Sequence, residues 1–193
     1  MHYSARLALC VGVFIFGCST ITAQTPQAFP KARLIVSTAD TPPRFSRVDA
    51  LPNVEPVVST EASEIERHAF DDTNRARLAQ GLVPLKWDGT LYQIARRHSE
   101  DMVKRGYFDH ETPDGLRLRD RALQGGIVHF RVLAENIAYN QGFKDPGAFA
   151  VQRWLVSPGH RANILNSEFE QGAVGSFVAR DGTVYLTEIF IKR

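Results

Sequence analysis

Cysteine is nearly missing from this chain. There are two in 193 residues, Cys10 and Cys18, and both lie before residue 20. If the N-terminus is an export signal, Cys10 leaves with it and at most one thiol remains. An internal disulfide is then excluded, and the core must hold without covalent staples. An excess of charge is also missing. The net charge is +2, and from Ser59 onward 18 basic residues balance 18 acidic ones. No general attraction to nucleic acid follows from such a balance. Leu7 to Gly17 is an apolar run of eleven residues, too short to span a bilayer. Residues 24–58 contain no glycine.

Common catalytic signatures are missing too. His110-Glu111 starts like H-E-x-x-H, but position 114 is Asp, so that zinc helix is excluded. Gly175-Ser176 lacks the glycine that a G-x-S-x-G elbow places two residues before its serine. There is no phosphate loop and no dinucleotide fingerprint. No internal repeat is visible. A retained thiol nucleophile is excluded if Cys18 carries a lipid.

What is present divides the chain into three parts. Residues 1–23 read as an export signal, with Arg6 ahead of an apolar run of h-region length. Ile15-Phe16-Gly17-Cys18 resembles a bacterial lipobox, with Phe16 bulkier than usual. On that reading the signal is 1–17 and Cys18 becomes a lipidated first residue. The rival is plain secretion after Ile21-Thr22-Ala23. Residues 24–58 hold six of the ten prolines, which predicts an extended tether, with Leu34-Ile35-Val36 as a local contact point. Residues 59–193 then form the folded domain.

Within the domain, Ser63-x-x-Glu66 is a capping box ahead of a first helix that closes near Gly81. Asp88 caps a second helix, whose stripe Leu91, Ile94, Ala95, His98, Met102 and Val103 faces inward, ending at Gly106. His98 reads there as a hydrogen-bonded core residue rather than a ligand. Thr112-Pro113-Asp114-Gly115 is a turn. Leu116 to Leu123 is a short helix whose Arg117, Arg119 and Arg121 read as a solvated face. Ile127 to Ile137 suits a strand. Asp145-Pro146 opens a helix that ends near Trp154-Leu155. Ser157-Pro158 starts another, with His160 in its first turn, where the helix dipole favours a neutral imidazole. Asp181-Gly182 predicts a two-residue hairpin turn, pairing Val178 with Tyr185 and Ser176 with Thr187. Both hairpin faces are largely apolar, so layers of helix should cover both. The expected fold class is α/β, a three-layer α-β-α sandwich with a C-terminal β-hairpin.

Two imidazoles and a carboxylate, His110, His160 and Glu135, would make a zinc set with one open position. Spacing alone supports this weakly. Several patterns add to it in order along the chain: Asn74-Arg75-Ala76-Arg77 with Gly81-Leu82-x-Pro84-Leu85, His98-Ser99-x-Asp101-Met102, Phe108-x-His110 with Pro113-Asp114-Gly115, Ala134-Glu135-Asn136-Ile137, Trp154 to Leu165, and Tyr185-x-Thr187-x-x-Phe190. Over roughly residues 63–191 the chain resembles the bacterial branch of the CAP superfamily, also called the SCP or pathogenesis-related-1 superfamily.

The resemblance implies an α-β-α sandwich with a central cleft. Many eukaryotic members line that cleft with two histidines and two glutamates able to hold a divalent metal. His110 and Glu135 match half of that set. Ser157 stands where the second glutamate would fall, and Tyr185 where the second histidine would. His160 belongs to the bacterial pattern. The expected cleft is therefore His110, Glu135, His160 and Tyr185, with the first three as candidate ligands of a divalent metal such as zinc and no cofactor required. The expected function is non-enzymatic binding of a small molecule, lipid or glycan by a monomeric domain outside the cytoplasm. That domain would be either secreted or anchored to the envelope through Cys18, at the outer membrane in a Gram-negative cell. Two alternatives stand beside it. One is a metal-dependent hydrolase with Glu135 as base; the other is a structural or adhesive envelope protein.

Overall fold

A computed structural model describes residues 31–36 and 62–193. The expected export signal, Cys18 and the rest of the expected tether lie outside the described residues. Strand β1 (Lys31–Val36) lies inside that tether stretch and contains Leu34-Ile35-Val36. Its backbone pairs antiparallel with a later strand.

Helix α1 (Glu64–Leu78) opens with a reciprocal cap. The Ser63 amide donates to Glu66 Oε2, and the Glu66 amide donates to Ser63 Oγ. A two-residue strand β2 (Lys86–Trp87) leads to Asp88, whose Oδ1 accepts from the amides of Thr90 and Leu91 and starts α2 (Gly89–Arg105). Gly106 ends α2 at φ +67°, a left-handed conformation that a Cβ would strain. Next come α3 (Leu118–Gln124), β3 (Val132–Asn140), α4 (Pro146–Val156), α5 (Pro158–Ile164), β4 (Gln171–Val178) and β5 (Val184–Lys192). The third strand starts later than the expected Ile127, because Ile127 instead packs in the core cluster that contains Leu118 and Ala122.

The five strands run in the order β1-β3-β5-β4-β2. Strand alternation sorts the core into two clusters. Leu133, Ala173, Ile189 and Ile191 pack with Leu91, Ile94 and Ala95 of α2 and Leu118 and Ala122 of α3. Ala134, Val174, Leu186 and Phe190 pack with residues of α1, α4 and α5, around a fully buried Trp154. The sandwich is three-layered: α2 and α3 on one face, α1, α4 and α5 on the other. Burying a side chain as large as Trp154 is worth about 3 kcal/mol, and its indole N–H donates to the Ile137 carbonyl, so no polar group is stranded. Two glycines allow close approaches, one between sheet and helix and one between α4 and α1. A Cβ on Gly175 would lie 2.2 Å from the Arg96 amide of α2, and one on Gly147 would lie 2.3 Å from the Ile65 carbonyl of α1.

The hairpin register corrects the expected one by one residue. Phe177 faces Tyr185, Val178 faces Val184 and Gly175 faces Thr187. The Gly182 amide donates to the Ala179 carbonyl, the Ala179 amide donates to the Thr183 carbonyl, and Gly182 sits at φ +85°. This is a three-residue loop, a tight turn followed by a left-handed glycine, rather than a two-residue one. The slip moves the β4 residues to the opposite faces from those expected. β5 keeps its own alternation, with Tyr185 and Thr187 on one face and Glu188 on the other.

Candidate functional site

Glu135 organises the α2–α3 face. It lies on β3 opposite Ile189, so its side chain points into the layer of α2 and α3. It is fully buried. Arg121 of α3 donates to both its oxygens, Nη1 to Oε2 at 2.9 Å and Nη2 to Oε1 at 3.1 Å. Arg121 Nη2 also donates to the His110 carbonyl at 2.9 Å. His110 Nδ1 lies 2.7 Å from Glu135 Oε1, and because an ionised carboxylate only accepts, the imidazole donates. His98 Nε2 donates to the Asp109 carbonyl at 3.0 Å and stands 4.0 Å from Glu135 Oε1.

Charge in this cluster is fixed. Burial pushes the Glu135 carboxyl up, but the Arg121 guanidinium, with help from the hydrogen bond of His110, outweighs it and holds the group well below the usual carboxylate range. Burial is also the main influence on His98 and lowers it to about 4, against the pull of Glu135, so it is neutral at ordinary pH. His98 and Arg121 also line a cavity of about 210 Å³ between α2 and α3, with Ile94, Arg97, Thr112 and Leu116 among its other walls. The Thr112 side is held rigid: the Leu116 amide donates to Thr112 Oγ1 and the Thr112 amide to the Leu116 carbonyl.

The structure brings together His110 and Glu135 but not His160. Asn136 follows Glu135 on β3 and therefore points the other way. Its side-chain amide donates to the His160 carbonyl at 3.4 Å and to Glu188 Oε2 at 3.3 Å. Asn163 of α5 donates to Asn136 Oδ1. His160 thus sits with α5 on the α1–α4–α5 side, which corrects the expected convergence of His110, Glu135 and His160. Ser157 occupies the cap position of α5, but its hydroxyl lies 2.7 Å from His160 Nδ1 instead of bonding a backbone amide. Tyr185 shares the Glu135 face, yet pairs with Tyr139, four residues along the ladder, roughly 13 Å away at strand rise. Its ring stacks on Tyr139 at 5.6 Å and meets Phe108 edge-on.

A divalent cation does not fit these residues. The oxygens of Glu135 already receive three bonds, and the guanidinium is a fixed positive charge in the same place. Among the described residues no three His, Cys, Asp or Glu are grouped to hold a metal.

Two members of the cluster have an origin legible in the sequence. Arg121 is not on a solvated face: it follows Leu118 by three and precedes Ala122, and both of those are buried. The i, i+3, i+4 spacing of Leu118, Arg121 and Ala122 marks an inward face. Arg117, by contrast, is exposed and pairs with Glu111. His98 lies on the inward stripe of α2, as read; its proximity to Glu135 required the fold.

The model for the cysteine-rich secretory protein (CAP) family matches residues 70–190, more than half of the chain. The chain belongs to the CAP family. This CAP domain is 43% identical over 128 residues, 66% of the chain, to an uncharacterized membrane protein, YlbC, of Bacillus subtilis. It is 38% identical over 134 residues, 69% of the chain, to an uncharacterized protein, YkwD, of the same organism. The matched segments span 34% and 49% of those relatives. Among solved structures, an extracellular SCP-domain protein of Bacillus anthracis aligns at 35% identity and TM-score 0.57, covering 67% of this chain and 40% of that one. An outer surface protein of Borrelia burgdorferi shares the fold at 19% identity and TM-score 0.61, covering 70% and 96%. The CAP domain therefore has an extracellular protein and a membrane protein among its relatives.

Proposed function

We propose that this CAP domain is a non-enzymatic binding module working outside the cytoplasm, with the cavity between α2 and α3 as its ligand site. The observation that carries the reading is the state of Glu135. A general base needs an open oxygen and a carboxyl near its working pH. Glu135 has its oxygens engaged by Arg121 and His110 and is held ionised. It acts as the counterion that keeps Arg121 and His110 in place behind the cavity wall, not as a proton acceptor. The names of the relatives support export, which residues 1–23 would direct, with Cys18 as the lipid anchor. Replacing Cys18 by alanine then moves the protein from the membrane fraction to the soluble one.

The hydrolase reading has one observation in its favour. Glu135 orients His110, and Nε2 of that ring has no hydrogen-bond partner among the described residues. The same fact counts against it, since no serine or threonine hydroxyl is bonded there to be activated.

Native mass spectrometry of the purified full chain tests the binding reading. The expected result is a small-molecule adduct on the wild type that is lost when the cavity is filled by Leu116→Trp. Ester or peptide hydrolysis abolished by His110→Ala would favour the hydrolase instead.

A further inference from the structure

We infer that the cavity between α2 and α3 selects a small monoanion, a carboxylate carried on a compact apolar body, with Arg97 as the residue that holds the head group. This rests on the binding reading above and goes further by naming the ligand's chemistry.

The inference starts from the charges around the cavity. Three arginines, Arg97, Arg105 and Arg121, line it, together with a single carboxylate, Asp101. Arg121 is neutralised by Glu135. Arg105 donates to both oxygens of Asp114, at 2.5 and 2.9 Å. Asp101 accepts from the Tyr107 hydroxyl at 2.6 Å and stands 3.6 Å from Arg105. Arg97 is different. It is exposed at the rim, and among the described residues it has no hydrogen bond or ion pair. Arg97 is therefore the one guanidinium of the lining whose donors are all free to take a ligand. Its planar fork matches the two oxygens of a carboxylate. A dianion would need a second unpaired cation, and the lining supplies none, because Arg105 and Arg121 are already matched.

The apolar part follows from the other lining residues. Ile94 and Leu116 line the cavity beside Gly125. A Cβ on Gly125 would come within 2.6 Å of Ile94 Cδ1, so the bare backbone leaves Ile94 its place in the floor. His98, neutral for the reason given above, adds no charge to this wall. A volume of about 210 Å³ suits a ligand of one ring or a short chain, below the usual range for drug-sized sites.

Heteronuclear NMR titration of the full chain with benzoate and with benzamide, its neutral counterpart of the same shape, tests this. Benzoate is expected to shift the amide resonances of Ile94, Leu116 and Gly125 and to bind at least about tenfold tighter than benzamide, the value of one charge-assisted hydrogen bond. Arg97→Gln should remove the difference and Arg97→Lys should restore part of it. Arg97 is exposed, and the variants' own spectra report whether they fold. Equal binding of benzoate and benzamide, or benzoate binding unchanged in Arg97→Gln, would overturn the anion assignment while leaving the cavity as a ligand site. No localised shift from either compound, in wild type as in Leu116→Trp, would remove the ligand site and the assignment together.

Discussion

Two carboxyl groups are buried on opposite faces of one sheet, and they are in opposite states. Glu135, on β3, faces α2 and α3; Glu188, on β5, faces α1, α4 and α5. Glu188 is opposite Asn136, the neighbour of Glu135, so the two are one rung apart. Both are essentially inaccessible to water. Glu135 has a guanidinium against both oxygens. Glu188 has neutral donors: the Thr73 hydroxyl at 2.6 Å and the Asn136 amide at 3.3 Å. Burial pushes Glu188 up to about 8, and those two hydrogen bonds and the more distant Arg77 offset only part of the rise. Equal burial therefore does not dictate equal charge. The partner decides, because only an opposite full charge recovers the hydration that burial removes.

The comparison can be broken most severely by taking the cation from Glu135. Arg121→Leu leaves a buried carboxylate alone and should cost about 3–5 kcal/mol in urea unfolding. The double variant with Glu135→Leu should recover much of that loss. A small effect of the single variant would mean that Glu135 does not depend on Arg121.

The next largest effect is a dependence on pH. The folded-state value of Glu188 is raised, so its contribution is complete below the unfolded carboxyl value of about 4.3 and is lost as pH rises towards about 8. Glu135 is depressed, so its contribution is present above about 4.3 and is lost as pH falls further. Glu188→Gln removes the first dependence and should make the variant more stable than wild type by on the order of 2–4 kcal/mol at pH 8, compared with pH 5. Parallel stability curves for the two proteins would mean that Glu188 is ionised in the fold.

A third effect compares a sheet–helix contact, β4 on α2, with a helix–helix contact, α4 on α1. Gly175→Ala drives a methyl into the backbone of α2, and Gly147→Ala drives one into α1. Each should lose about 1–3 kcal/mol, read as a lower melting temperature. A neutral Gly175→Ala would show that α2 can move off β4.

The smallest effect concerns the sheet edge beside Glu135, where Arg33 pairs with it through the backbone. A protein beginning at Ser59 lacks β1 and should melt about 2–4 °C lower, the equivalent of roughly 1 kcal/mol in a chain of this size. Unchanged melting would return residues 24–58 to the role of a tether.

Local chemistry was readable in the sequence alone. The Ser63–Glu66 box, the Asp88 cap, the stripe of α2 and the Asp145-Pro146 start each depend on groups within a few residues of one another, and the two apolar hairpin faces implied helices on both sides. The separation of Glu188 from Glu135 also followed from alternation. Three features waited for the tertiary structure. Which face of β3 receives α5 decides that His160 stands apart from His110, and no local pattern encodes it. The hairpin register turned on one residue, because Asp-Gly serves both two- and three-residue loops and only the ladder of bonds selects between them. The charge of each buried carboxyl was the last. Glu135 and Glu188 are alike in type and burial. One meets Arg121 and the other Thr73, across 14 and 115 residues of chain, and electrostatics in a dry interior depends on distance in space rather than along the sequence.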